Sequence, residues 1–326
     1  MIVGALRETA AGERRVALTP DDVRQLSDRG AAIVVERGAG ALADFTDTDY
    51  RAAGAELAPG PVAVFDRCDV VAWVKPPAYD LDSMPLRRGQ VLIGFQDPVQ
   101  RGARIAALRE RGVESIAFER MSYDVAAAQP DPLSAMSRIA GGIAYREGRE
   151  LLPERVRSRR VRALVLGCGQ AGLAAVAAAR ESGDESPIVI VHRAEQEAAA
   201  MARGAGYCLV NPDPAAITAL IVEMDPELVV CAAGQRGAHA PRLLDHAALA
   251  ALTAGAVVVD LTGGNSVATV VNSTVRLDND VLVTHRSNYP ATVPHTASRA
   301  YGAATAAAIQ ELPPLRTGVD WSSLRN

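Results

Sequence analysis

The stretch "LVLGCGQAGLAAVAAA", Leu164 to Ala179, constrains the fold more than any other part of the chain. An apolar run stops at a glycine, three glycines follow in G-x-G-x-x-G order (Gly167, Gly169 and Gly172), and an alanine-rich segment continues from them. Such a run suits a buried parallel strand, and the glycines allow a tight bend with close backbone approach. The helix opening at Gln170 and Ala171 turns its first amides and its positive end toward the turn. That arrangement suits a pyrophosphate, although the same glycines also serve a strand-to-helix turn without ligand. The following strand, "PIVIV", favours the nucleotide reading. It ends at His192-Arg193, where NAD-binding units usually carry an acid for the ribose hydroxyls. An imidazole followed by a guanidinium suits a ribose 2'-phosphate instead. The expected cofactor is therefore NADP(H) ahead of NAD(H), and the other reading of these two residues is a solvated strand end.

The rest of the chain repeats this alternation. "AIVVERG", "DVVAWVK", "QVLIGF" and "ESIAFE" read as strands, with an amphipathic helix over "RGARIAALRERG" between the last two. "PLSAMSRIAGGIAYREGRELL" reads as a long helix interrupted at Gly141-Gly142, and a hinge is expected in the charged "PERVRSRR" after it. A second series runs through "VRALVLG", "PIVIVH", "LVVCAAG", "AVVVDL" and "VLVTH", and "TASRAYGAATAAAIQEL" is a final helix that returns to the first domain. At 326 residues two domains are expected: 1–133 completed by 290–326, and 134–289.

Composition narrows the function. The chain is 49% apolar and 22% charged with a net charge of −4, without blocks of like charge, which argues against disorder and nucleic-acid binding. Cys68, Cys168, Cys208 and Cys231 lack metal or disulfide spacing and read as reduced thiols. The N-terminal charges come too early for a secretory core, and no apolar run has the length of a membrane span. A cytoplasmic protein without bound metal is expected.

The first 60 residues, including "GERRVALTPDDV", together with "VKPP", "PLSAMSRIAG", the glycine turn, "VVVDLTGGN" and "SNYPATVPHTASRAYG", resemble the alanine dehydrogenase and nicotinamide nucleotide transhydrogenase alpha-subunit family over nearly the whole chain. The resemblance implies an α/β fold of two Rossmann-like domains with parallel sheets facing across a cleft, the second binding the nucleotide. It implies a small amino-acid or keto-acid substrate and assembly into a homodimer or higher homo-oligomer. It makes Arg15 the clamp for the substrate carboxylate and Lys75 the contact to the keto oxygen or amino nitrogen. By the same resemblance Gln129, Asp131 and Ser134 match a loop that holds nicotinamide in transhydrogenases. Ala232 and Ala233, on the apolar strand end, would let the nicotinamide lie close, and Asn288 in "SNYP" would line the cleft.

Two departures separate the chain from alanine dehydrogenases. Gln96 stands where they carry a catalytic histidine, and glutamine transfers no proton. Their loop aspartate is missing between Asp260-Leu261-Thr262 and Gly263-Gly264-Asn265. Asp97 and Lys75 remain as proton carriers, with His285 and His295 flanking "SNYP". Transhydrogenase alpha subunits also lack the histidine, since hydride exchange between nicotinamides needs no proton, but this chain is short where they carry a mobile insertion. "IGFQDP" and the strand-end arginine look like the shorter carboxyethylornithine synthase branch, which reduces an imine made from an amine and a 2-keto acid. The expectation is an NAD(P)-dependent oxidoreductase acting on a carbon–nitrogen bond. The alternatives are alanine dehydrogenase proper, a transhydrogenase-like subunit, or a nucleotide-binding subunit without catalysis.

Overall fold

A computed structural model describes residues 1–121, 131–234 and 239–312; Gln129 lies outside them. The protein is α/β, with two sheets and two compact units, Met1–Met136 with Pro290–Asn326, and Ser137–Tyr289.

The first unit contains β1 (Ile2–Ala5), α1 (Pro20–Ser27), β2 (Ala32–Glu36), α2 (Asp47–Ala52), β3 (Glu56–Ala58), α3 (Pro61–Arg67), β4 (Val70–Ala72), β5 (Val91–Gly94), α4 (Gly102–Glu110), β6 (Glu114–Ala117) and the start of α5 (Pro132–Leu151). Its six strands are all parallel, in the order β3-β2-β1-β4-β5-β6. The second unit continues with α6 (Glu154–Arg157), β7 (Ala163–Leu166), α7 (Gln170–Glu181), β8 (Ile188–Val191), α8 (Glu197–Arg203), β9 (Tyr207–Val210), α9 (Pro214–Met224), β10 (Leu228–Cys231), α10 (His246–Ala250), β11 (Val257–Asp260), β12 (Thr274–Arg276) and β13 (Leu282–Thr284). Its order is β12-β13-β11-β10-β7-β8-β9, parallel except for the edge strand β12. Both sheets have the doubly wound Rossmann arrangement. The central strands β4, β5, β7, β10 and β11 are buried along their whole length, as continuous apolar runs covered by helices on both faces should be.

The expected interruption at Gly141-Gly142 is not a break, because α5 runs through it as one helix. Gly141 is small for packing, since a Cβ there would overlap the Ala171 carbonyl oxygen, and so is Gly148 further along α5, where one would stand 2.6 Å from Val259 Cγ2. The segment read as a hinge, 153–160, lies within the second unit. Arg157 pairs with Glu150 and Arg159 with Glu227, so its charges are tied to acids of that unit. The chain passes between units within α5 and again at Tyr289–Pro290.

The last helix, α11 (Pro294–Gln310), belongs to the first unit. Ser298 Oγ accepts a hydrogen bond from Val16 N at 3.0 Å, and Tyr301 Oη donates to the Trp73 carbonyl at 2.8 Å. Gly302 makes room for α1: a Cβ there would overlap the carboxylate of Asp22, which accepts hydrogen bonds from Thr19 N and Oγ1 in the helix cap.

Candidate functional site

In the first sheet the strand order reverses between β1 and β4, and a concentration of charge lies beyond their carboxyl ends. Glu13 grips the guanidinium of Arg15 bidentately, with Nε to Oε1 and Nη2 to Oε2 both at 2.6 Å. The Arg15 side chain is 3% exposed and that of Glu13 is fully buried. Lys75 places Nζ 3.8 Å from the same Glu13 carboxylate while remaining 32% exposed, so the amine reaches solvent. Burial draws its pKa below the usual lysine value, against the opposing pull of Glu13. Tyr301 of α11 completes the wall, with Arg15 Cζ 6.0 Å from its ring centroid. Lys75 is the single lysine among 34 lysines and arginines, so the one amine side chain in the protein stands in this cluster.

Gln96 and Asp97 follow the adjacent strand β5. Both backbone N–H groups donate to the Glu119 carboxylate, at 3.1 and 2.8 Å. The Gln96 side chain is buried and donates to the Leu92 carbonyl at 3.3 Å, an anchoring role for an amide with no acid to offer. Asp97 has a left-handed φ of 51°. Neither side chain hydrogen-bonds to Lys75 among the described residues.

The second sheet reverses between β7 and β10. Gly167 ends β7 with φ of 105°, and a Cβ there would stand 2.7 Å from the Ala232 backbone and the Ala233 Cα. A Cβ at Gly172 would overlap the Gly167 carbonyl oxygen. Gly169, the N-cap of α7, has nothing within 4 Å of the corresponding position. Two glycines are thus small because protein presses on them, while the third faces open space at a helix N-terminus. A dinucleotide pyrophosphate fits that cradle. Ala171 packs under α5, and the side chain of Gln170 is hydrogen-bonded to Arg138.

His192 and Arg193 are exposed after β8, with both backbone N–H groups donating to Gln196 Oε1 at 3.0 Å. His192 Nδ1 also lies 3.3 Å from Asn211 Oδ1. Ala233 is clamped by buried Asn265, which accepts from its N–H at 3.0 Å and donates to its carbonyl at 2.8 Å. Asp260 is fully buried and accepts from Thr262, Gly263, Ser266 and Thr269, anchoring the loop after β11. Ser134 lies at the start of α5 in the first unit, its Oγ donating to Asp131 at 2.6 Å. Asn288 is half-buried in the turn after β13.

His285 is buried against the Gly263 turn, and its Nδ1 accepts from Asn272 N at 3.0 Å, so the neutral ring keeps its proton on Nε2. Burial lowers its pKa. His295 Nδ1 lies 3.0 Å from the Ala43 carbonyl and its ring stacks on Phe45, a packing role in the first unit. Cys68, Cys168 and Cys231 are buried, Cys208 is half-buried, and all four are unpaired thiols. Among the described residues no group of side chains is arranged to hold a metal, and no helix is long and apolar enough to cross a membrane.

The sequence reading missed Glu8, Glu13, Glu119 and Asn265. The first two stand in the same "RETAAGERR" segment as Arg15, and this number of charges beside a sheet end was the available signal.

Comparison with known proteins matches both units to one family. The N-terminal domain model of alanine dehydrogenase/PNT matches residues 4–140, and the C-terminal domain model matches 144–323. The NAD(P) transhydrogenase subunit alpha of Cereibacter sphaeroides is 32% identical over 98% of this chain, which spans 67% of that protein. The alanine dehydrogenase of Bacillus subtilis is 29% identical over 91% of the chain and 82% of its own length. The crystal structure of a transhydrogenase from Sinorhizobium meliloti superposes with a TM-score of 0.84 at 27% identity, covering 95% of this chain and 93% of that one. The chain belongs to the alanine dehydrogenase/PNT family.

Proposed function

We propose that the protein is an NAD(P)-dependent oxidoreductase acting on the carbon–nitrogen bond of an amino acid, or of the imine formed from an amine and a 2-keto acid. The observation that carries this reading is the Arg15–Glu13–Lys75 cluster, in which a buried carboxylate orients a guanidinium and an amine at the end of one sheet. A guanidinium fork matches a carboxylate, and an amine beside it reaches the oxygen or nitrogen on the adjacent carbon. Lys75 donates a hydrogen bond or a proton to that atom, and its lowered pKa eases the proton's release. Gly169 and the first turn of α7 hold the pyrophosphate, His192 and Arg193 take the adenosine ribose with its 2'-phosphate, and Ala232 and Ala233 give the nicotinamide a surface without side chains. Asn288 completes the nicotinamide's surroundings. When bound, the nucleotide supplies or accepts the hydride. The isolated cysteines suit a cytoplasmic setting, and membership of the family supports a homo-oligomer.

Buried Gln96 favours a second reading. With its amide committed to Leu92, it contributes nothing to proton transfer, as suits hydride exchange between two nicotinamide nucleotides. The relatives named as transhydrogenase alpha subunits support that alternative.

Both readings are tested on the purified full chain. NADPH oxidation is followed with 2-keto acids plus ammonia or primary amines, and separately NADH oxidation with an oxidised NADP analogue. On the first reading, Lys75→Ala lowers amine-dependent turnover by at least about 100-fold, a general acid's usual share, while nucleotide fluorescence titrations stay unchanged. Full turnover in Lys75→Ala removes the lysine from the chemistry. Exchange between nucleotides with no amine-dependent oxidation establishes the second reading.

A further inference from the structure

Beyond Ala72 the pairing between β1 and β4 lapses. Leu6 N donates to the Ala72 carbonyl at 3.1 Å, and among the described residues no strand then accepts from the N–H groups of Val74 and Lys75. Glu8 fills that place: Oε1 accepts from Val74 N at 2.6 Å and Oε2 from Lys75 N at 3.0 Å. We propose that Glu8 is a positioning residue for Lys75, a side-chain extension of the strand pairing that fixes the backbone carrying the amine and holds the amine beside Glu13. The proposal rests on the reading that Lys75 meets the substrate.

The chemistry of the clamp calls for a carboxylate. Two N–H donors point into one fork, and only a carboxylate offers two acceptor oxygens in that shape. A glutamine turns its NH2 toward one of the donors. Glu8 is half-buried as a residue, but its carboxyl end is enclosed, facing Glu13 and Arg15 from its own segment, Lys75 and Tyr79 from beyond β4, and Tyr301 from α11. Burial pushes its pKa up to about 8, although the two N–H donors pull the other way. The clamp therefore tightens as pH rises through about 8, and the charge that then appears also favours the Lys75 ammonium.

The single lysine gives this proposal a readout independent of turnover. Trace acetic anhydride labelling of the full chain, without substrate or nucleotide and read by mass spectrometry, follows Lys75 across pH with the terminal α-amine as internal reference. Wild type and Glu8→Gln are expected to label alike below about pH 7. Above pH 8 they diverge, Lys75 in the variant reacting up to about 10-fold faster for each unit by which its pKa falls. The turnover of wild type rises through pH 8, and that rise is lost in Glu8→Gln. Superimposed labelling curves over the whole range overturn the proposal. Glu8→Asp guards against a glutamine variant that does not fold: its charge is kept but its reach is too short for both donors, so its labelling lies between the other two. An aspartate variant with wild-type labelling and pH profile overturns the clamp as well. Divergent labelling together with full turnover in Lys75→Ala leaves the clamp in place and removes only the catalytic reading.

Discussion

Gly169 and Gly172 stand three residues apart in one turn yet answer to different demands. A Cβ at Gly172 collides with the Gly167 carbonyl, whereas one at Gly169 meets nothing, and Gly169 has an ordinary φ of −81°. Gly172→Ala should therefore destabilise the second unit by about 1–3 kcal/mol or more, as overpacking against backbone does, and melting temperature will show it. Gly169→Ala should cost no more than the roughly 1 kcal/mol by which alanine is the poorer N-cap and weaken nucleotide binding by about tenfold, roughly 1.4 kcal/mol, because its methyl group occupies the space meant for the pyrophosphate. Equal loss of stability in both variants would mean that the turn is only a packing device. The glycines were legible in the sequence because their spacing carries their chemistry. Glu8 and Asn265 were not, since what defines them is the backbone of Val74, Lys75 and Ala233, brought to them by strand order.

At the scale of elements, the long helix α5 shows how composition misleads. A Gly-Gly pair within a helical pattern reads as a weak point, because glycine lowers helix propensity. In the fold the pair lies in continuous helix, and Gly141 lets α5 approach the backbone of Ala171 inside the nucleotide turn. Its neighbour has no such duty, since a Cβ at Gly142 meets only the end of the Arg146 side chain, 3.2 Å away. Gly142→Ala should be neutral or stabilising by up to about 1 kcal/mol, since alanine is the better helix former. Gly141→Ala should lower the melting temperature and also weaken nucleotide binding, because the helix it displaces rests on the turn. Circular dichroism melts and fluorescence titrations of the two variants separate these outcomes, and matching behaviour would refute the packing argument. The buried strands were readable as apolar runs. β1 and β3 were not, for "IVGA" spans only four residues and "ELA" only three.

For the whole molecule, the decisive fact is that the first unit is assembled from both ends of the chain. The second unit has two apolar clusters drawn entirely from residues 140–289, so everything its sheet needs lies in one continuous stretch. The first unit depends on α11, which buries ten residues and places the Tyr301 ring 5.6 Å from that of Phe95 and 5.7 Å from that of Phe118. The sequence leads one to expect this helix to return to the first domain, but its small residues do not show what it meets there, namely α1 and the aromatic rings at the sheet end. Truncating one buried aromatic side chain typically costs about 3–5 kcal/mol, against a total stability of about 5–15 kcal/mol. Losing the entire helix should exceed that reserve. A fragment of residues 137–289 is therefore expected to melt cooperatively and retain nucleotide binding. Residues 1–136 alone should remain unfolded, and should gain cooperative melting when residues 290–312 are joined to them through a flexible linker. If the 1–136 fragment folds alone, α11 is an accessory cover. The Arg15–Glu13–Lys75 cluster would then owe its geometry to the strand ends and not to the returning helix.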